Sequence, residues 1–350
     1  MHKKDLGLLV LILGVGTIVA LRNERFLLPE NISNTANQIG LFGIFSIGMA
    51  FVIVTGGIEL SVGSIIALLG TVFIDLIVNH DVNWMLAIAL VAFAGMAMGM
   101  LHGLLVTKAR MQPFVVTLCG LLIYRGAARY YTKDATAGFG FGESFPTLEW
   151  LAAGRSEMFS PIARLLGYSG PTLAVPHSLV AMLIVGVSAW VILEHSVFGR
   201  HLLAVGKNEE AARYSGIDSD RVILAAYIIC CGLAAVAAVF WAMYTRSISP
   251  AVHGTFYELY AIAAAVLGGF SLRGGEGSIV GVVLGTVLLQ ILQNLVNMLG
   301  IPSSLNFAVM GSVILIGVFT DQQFSAYRLR RASNRGAASI EQRGAMQRVE

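Results

Sequence analysis

Charge is what this chain of 350 residues has least of. Only 12% of it is Asp, Glu, Lys or Arg, about half the roughly 25% of an ordinary soluble domain. With 56% hydrophobic residues and a mean hydropathy of +0.77, that shortage excludes a soluble globular protein. Cysteine is also scarce. Cys119, Cys230 and Cys231 lie in apolar runs with no CxxC or metal spacing, which excludes a disulfide framework and a metal site and predicts buried thiols. A phosphate-binding Walker motif is missing. Gly206-Lys207 is followed by Asn208 rather than Ser or Thr, and His201 stands where the motif needs Gly. The chain is therefore expected to hydrolyse no ATP itself. There is no Ser-His-Asp order, no HExxH and no pair of intramembrane carboxylates, so no catalytic residue and no metal ligand is assigned. The net charge of +3 is modest, and no nucleic-acid partner is expected.

What is present is a series of apolar runs of membrane-spanning length. The expected fold is all-α: a polytopic membrane protein of about ten helices. They fall near Leu6–Leu21, Ile39–Thr55, Leu60–Val78, Trp84–Val106, Pro113–Tyr130, His177–Leu193, Val222–Tyr244, Tyr257–Gly269, Ser278–Leu299 and Ser304–Thr320. The basic, apolar N-terminus lacks a small-x-small cleavage site and reads as a retained first span. With both termini inside, the inner segments hold Lys3, Lys4, Lys108, Arg110, Arg200, Lys207, Arg213, Arg221, Arg273 and the tail arginines. The outer segments hold only Arg22, Arg25, Arg129, Lys133, Arg155, Arg164 and Arg246. The positive-inside rule thus places both termini in the cytoplasm. Residues 1–321 read as one membrane domain and residues 322–350 as a basic cytoplasmic tail beside lipid headgroups. Residues 131–176 read as a long outer loop, with a short surface helix predicted at PTLEWLAAGR, and residues 195–221 as a long inner loop.

That inner loop is the densest polar island in the chain. It contains Gly199, Arg200, Gly206, Lys207, Asn208, Glu209, Glu210, Ala211, Ala212, Arg213 and Gly216. Asn208 is placed to cap a short helix, Glu209 and Glu210 to sit at its positive end, Arg213 near its negative end, and Gly216 to end it in the left-handed region. A capped, charged helix between two spans belongs in water, where a soluble partner can push on it.

Three further features stand out. Gly56, Gly57, Glu59 and Ser61 form the turn between spans two and three. It is either a structural turn with a capping arrangement or a hinge that moves with transport. A similar Gly-rich segment begins at Gly268, an echo that fits either a parallel repeat or chance. Gln290, Gln293, Asn294 and Asn297 recur at i, i+3, i+4, i+7, so they share one helix face. Facing lipid would be costly, so the stripe is either interhelical glue or a pathway lining suited to an uncharged polyol. Arg125, deep in span five, needs a partner, for which a structural ion pair is the expectation. His102 reads as a satisfied core residue. The lack of midplane carboxylates argues against ion-coupled transport. GMAMGMLHG in span four and AAVAAVFWA in span seven allow close helix packing.

Four blocks resemble a known family. They are GMAFVIVTGGIELSVGSIIAL (Gly48–Leu68), PFVVTLCGLLIYRGAARYYT (Pro113–Thr132), GRHLLAVGKNEEAARYSGI (Gly199–Ile217) and YELYAIAAAVLGGFSLRGGEGSIVGVVLGT (Tyr257–Thr286). They are similar to the inner-membrane permease subunits of ribose-type sugar ABC importers, over about residues 30–320. Glu59 and Tyr260 stand where that family usually has Asp, and Lys133-Asp134 where Gly-Gly is frequent, which weakens transfer of a particular sugar. The resemblance implies a bacterial inner-membrane permease without its own cofactor. Its partners would be an ATPase with two fused nucleotide-binding domains using ATP and Mg, an extracytoplasmic sugar-binding protein and a second permease chain. Residues 195–221 would be the ATPase-coupling loop. A permease for branched-chain amino acids or nucleosides is the nearest alternative, and an ion-coupled carrier a more distant one.

Overall fold

The chain's apolar runs become helices because a backbone in hydrocarbon must satisfy its own hydrogen bonds. The structure, a computed structural model, describes residues 3–140, 145–157 and 173–302, with isolated positions between 305 and 315. The expected tenth span, the tail 322–350 and much of the outer loop lie outside the described residues. Everything below belongs to the unit Met1–Gly300.

The helices run α1 (Lys3–Arg22), α2 (Pro29–Ile53), α3 (Val62–Val78), α4 (Trp84–Thr107), α5 (Pro113–Thr132), α6 (Pro146–Ala153), α7 (His177–Trp190), α8 (Val197–Lys207), α9 (Glu209–Tyr214), α10 (Ser219–Thr245), α11 (Tyr257–Leu267) and α12 (Ile279–Met298). A π-helical turn, Val191–His195, extends α7. Among the described residues six helices are long and apolar enough to cross a membrane: α1, α2, α4, α7 with its extension, α10 and α12. The apolar helices α3 and α11 are shorter. α5, with its internal Arg125 and Arg129, is not among the six.

Burial sorts these helices into a centre and a rim. The most apolar window of α2 is 83% buried and that of α10 61%, against 22% for α1 and α4. α2 starts at Pro29, ten residues before the predicted Ile39. Pro fits the first turn, and the early polar residues Ser33 and Asn37 are buried against protein rather than left in a loop. Phe42 and Phe45 of α2, Trp241 of α10 and Tyr257 of α11 pack edge-on, tilted or stacked, with centroids 5.0–5.7 Å apart. Rim helices turn Val10, Leu13, Phe93, Leu122, Ile123 and Ile184 outward, the surface a lipid environment accepts.

The small-residue run of α4 does what its composition predicts. Gly95, Gly99 and Gly103 face α10 so closely that a Cβ on Gly99 would strike the Tyr227 carbonyl. Of the three thiols, Cys230 and Cys231 are buried, but Cys119 is exposed. The expectation of burial fails there because α5 is a rim helix whose outer face carries Leu118 and Leu122 as well.

Connections gather at two ends. At one end, the turns after α2, α4, α7 and α11 meet. At the other, Asn23 Nδ2 donates to Met298 O (3.3 Å), Arg155 to Asn34 Oδ1 (2.7 Å) and Tyr131 to Asp75. Short strands Ala137–Gly138 and Ser247–Ile248 pair there, as do Arg155–Ser156 and Val175–Pro176. The predicted surface helix is α6, held by an ion pair between Glu149 and Arg246 (2.5 Å).

Candidate functional site

The polar island folds as two helices. Ser196 caps α8, its hydroxyl accepting from Gly199 N (3.0 Å). Asn208 is both the end of α8 and the cap of α9, its side chain accepting from Ala211 N (2.9 Å). Gly216 follows at φ +87°. Both caps on α9 are therefore where local chemistry predicted them.

α8 is amphipathic, with Leu202 and Val205 buried. Gly199 and Gly206 lie two turns apart and so share a face. Gly199 lies against the backbone of Ile192 and Leu193 at the end of α7. Gly206 lies against Val54 O and the Gly275 amide, with no room for a side chain. Gly275 N donates to Val54 O (2.8 Å), closing the contact between the turn after α2 and the turn after α11. Three separate connections thus meet backbone to backbone.

α9 has two faces. Toward the protein, Arg213 bonds Glu209 (2.8 Å) and Asp220 (2.5 Å), and its Nε donates to Ser219 Oγ (2.5 Å). Lys108 and Arg110, from the turn after α4, reach Asp220 at 3.0 and 3.4 Å. Outward stand Lys207, Asn208, Glu210, Ala211 and Tyr214, the last 91% exposed. Arg200 of α8 is exposed as well, and Ala212 is buried under α9. The island's charges therefore divide: Glu209 and Arg213 brace the loop, while Glu210 is exposed and pairs with none of the described residues.

The two glycines of the turn after α2 serve different ends. Gly56 takes φ +81°, and Gly57 lies where a Cβ would be 2.8 Å from the Tyr227 hydroxyl. Ser61 occupies the cap position of α3 without a side-chain capping bond. Glu59 serves instead: its Oε1 accepts from Ser61 N (2.7 Å) and Ser61 Oγ (2.6 Å). Its Oε2 faces His102 Nδ1 at 2.7 Å and the Cys231 thiol at 3.8 Å. The Tyr124 hydroxyl meets the other nitrogen of His102 at 3.0 Å. Glu59 is 0% exposed and His102 2%. One carboxylate thereby ties α3, α4 and α10 together, and α5 through His102. Glu59, His102 and Cys231 present ligand atoms within 4.8 Å of one another, a donor set that transition metals accept. Their hydrogen-bonding capacity is taken up by protein partners, so the cluster is a bridge between helices. Sequence reasoning treated Glu59 and His102 separately; their shared signal is that each is a lone ionisable group in an apolar setting.

The amide stripe of α12 does not act as one unit. Asn294 Nδ2 donates to Asn31 Oδ1 (2.8 Å) and Thr35 Oγ1 (3.0 Å) on α2. Gln290 is buried, Asn297 is exposed, and Gln293 Oε1 is buried with no hydrogen-bond partner among the described residues. Arg125 Nη1 donates to Pro250 O (2.8 Å) and His253 O (2.6 Å), so backbone carbonyls rather than a carboxylate satisfy the guanidinium directly.

A bundle of apolar helices with internal amides and one capped amphipathic loop describes a multi-pass membrane permease. The family model for the branched-chain amino acid transport system / permease component matches residues 31–318, and the chain belongs to that family. It is 38% identical over 322 residues to the ribose import permease protein RbsC of Escherichia coli (strain K12), covering 92% of this chain and 94% of that protein. It is 39% identical over 322 residues to RbsC of Bacillus subtilis (strain 168), covering 92% of each. The xylose transport system permease protein XylH of Escherichia coli (strain K12) is 30% identical over 339 residues, covering 85% of this chain and 86% of XylH. No solved structure matches. The chain is a transport component and not itself an enzyme.

Proposed function

We propose that this chain is the permease subunit of an ATP-binding-cassette importer that carries a monosaccharide of the ribose type across the bacterial inner membrane. The observation that carries the reading is similarity along nearly the whole chain to permeases named for ribose and xylose, at up to 39% identity. Those names favour a sugar over the amino acids in the family's description. Gln293 adds chemical support: a buried amide oxygen without a partner can accept from a sugar hydroxyl without holding an ion.

In this reading the end that carries α8 and α9 is cytoplasmic. An ATPase of two nucleotide-binding domains, fused in one chain, grips the outward face of α9 through Lys207, Asn208, Glu210, Ala211 and Tyr214 and uses ATP and Mg. A sugar-binding protein delivers cargo to the opposite end, near α6 and residues 247–256. A second permease chain completes the pathway. The chain's own part is to hold α9 rigidly, convert its displacement into helix movement, and offer uncharged polar groups along the route.

The test is uptake in proteoliposomes holding the permease, its ATPase and its binding protein. Labelled ribose should accumulate with ATP, be competed by related monosaccharides and ignore the proton gradient. Leucine uptake instead of sugar uptake overturns the substrate assignment. Uptake that persists without ATP overturns the class.

A further inference from the structure

The geometry points to Gly206 as a positioning residue through which one push on α8 reaches two transport helices at once. The inference rests on the coupling role proposed above and specifies where the force divides.

The observations concern backbone. Gly206 sits in the last turn of α8. Its Cα faces Val54 O and Gly275 N, which are themselves hydrogen bonded at 2.8 Å. Gly274, at φ +85°, brings its own Cα against Gly206 O and Gly56 N. Gly275, at φ +76°, lies against Lys207, both its backbone and the Cγ of its side chain. Apart from the Lys207 stem, the contact is backbone on backbone, so changes of rotamer can absorb little displacement. Close-packed backbone transmits strain.

Each turn then leads into a different helix. From Gly56 the chain reaches Glu59 and Ser61 and enters α3, with Glu59 fastened to α4 and α10. From Gly275 it reaches Ser278, which caps α12 through Gly281 N (3.4 Å). α12 carries Gln293 and Asn294. A displacement of α8 is therefore delivered to α3 and α12 together. The two turns it touches belong to the two segments whose sequences echo each other, which gives that echo a mechanical use.

Gly206 is helical, with no positive φ, so alanine fits its backbone and fails only on space. In the reconstituted complex, Gly206→Ala should leave the ATPase bound at the native ratio and lower sugar moved per ATP hydrolysed by about tenfold, within the range for residues that alter coupling without touching ligand. An unchanged ratio, or an uptake loss that merely follows loss of bound ATPase, overturns the assignment. A second measurement keeps the native glycine. Spin labels at His201→Cys, Leu272→Cys and Val252→Cys are placed pairwise in a Cys119→Ser chain. On ATP addition the 201–272 distance should hold while the 272–252 distance changes. If 201–272 changes as much as 272–252, the joint does not move as one body and the inference fails. A native chain that imports no sugar refutes the functional reading instead, and the label distances still decide the joint.

Discussion

Replacing His102 by leucine isolates the worth of the buried bridge. Glu59 has no solvent contact, and four donors converge on its two oxygens: Ser61 N, Ser61 Oγ, His102 Nδ1 and Cys231 Sγ. His102→Leu removes one donor at 2.7 Å and strands the Tyr124 hydroxyl. Two magnitudes compete. Interhelical hydrogen bonds between neutral groups in membrane proteins average about 0.6 kcal/mol. Leaving a buried acceptor without its donor costs about 1–3 kcal/mol, because its desolvation is no longer offset. The larger figure should win here, since the other three donors cannot replace the lost imidazole. Glu59→Gln in the His102→Leu background should recover much of the loss, because an amide, always neutral, costs less to leave short of a partner. The assay is equilibrium unfolding in mixed detergent, run as a double-mutant cycle. A His102→Leu loss near 0.6 kcal/mol, or no recovery on adding Glu59→Gln, would refute the view of Glu59 as a buried acceptor held by its partners.

Three other outcomes follow from the geometry. Glu210→Arg with Tyr214→Ala should abolish co-purification of the ATPase at unchanged permease stability, whereas Glu209→Ala should loosen the loop itself, by about 0.2–1 kcal/mol for a half-exposed network, read by proteolysis of residues 207–216. Asn294→Leu should weaken packing of α12 on α2, seen as lower unfolding resistance, while Gln293→Leu should impair uptake without loss of stability; equal effects on both readouts would return the whole stripe to packing. The hydrogen bond from Arg246 outweighs partial desolvation and holds the Glu149 carboxyl below its ordinary range. A depressed carboxyl contributes stability that is full above its unfolded value, roughly 4.3, and fades as pH falls through the folded value. Protection of α6 against hydrogen exchange should therefore drop on acidification in that window, and Glu149→Gln should remove the dependence.

How far the sequence could be read depended on how local each signal was. Asn208, Gly216 and Gly56 act within a few residues of themselves, so their caps and turns were legible. The glycines of α4 were legible as a packing face, though not the partner they face. Partners far along the chain were not: Glu59 and His102 are 43 positions apart, and nothing in either segment names the other. Asn294 meets Asn31 and Thr35 on a helix that hydropathy started too late, because polar residues buried against protein resemble a loop in sequence. Arg125 is held by carbonyls of Pro250 and His253, and backbone acceptors leave no mark in composition. The division of the island's charges into bracing and outward groups depended on α9's orientation, which the turn after α4 fixes through Lys108 and Arg110.

That division has an evolutionary consequence. The bracing side of α9 answers to the permease's own scaffold, and each of its charges is shared with another segment. The outward side answers only to whatever binds it. Substitutions at Glu210, Ala211 and Tyr214 can accumulate without disturbing the fold, so such a permease can exchange one motor for another by small surface changes. The glycine joint beneath has no such latitude, and should tolerate almost no drift.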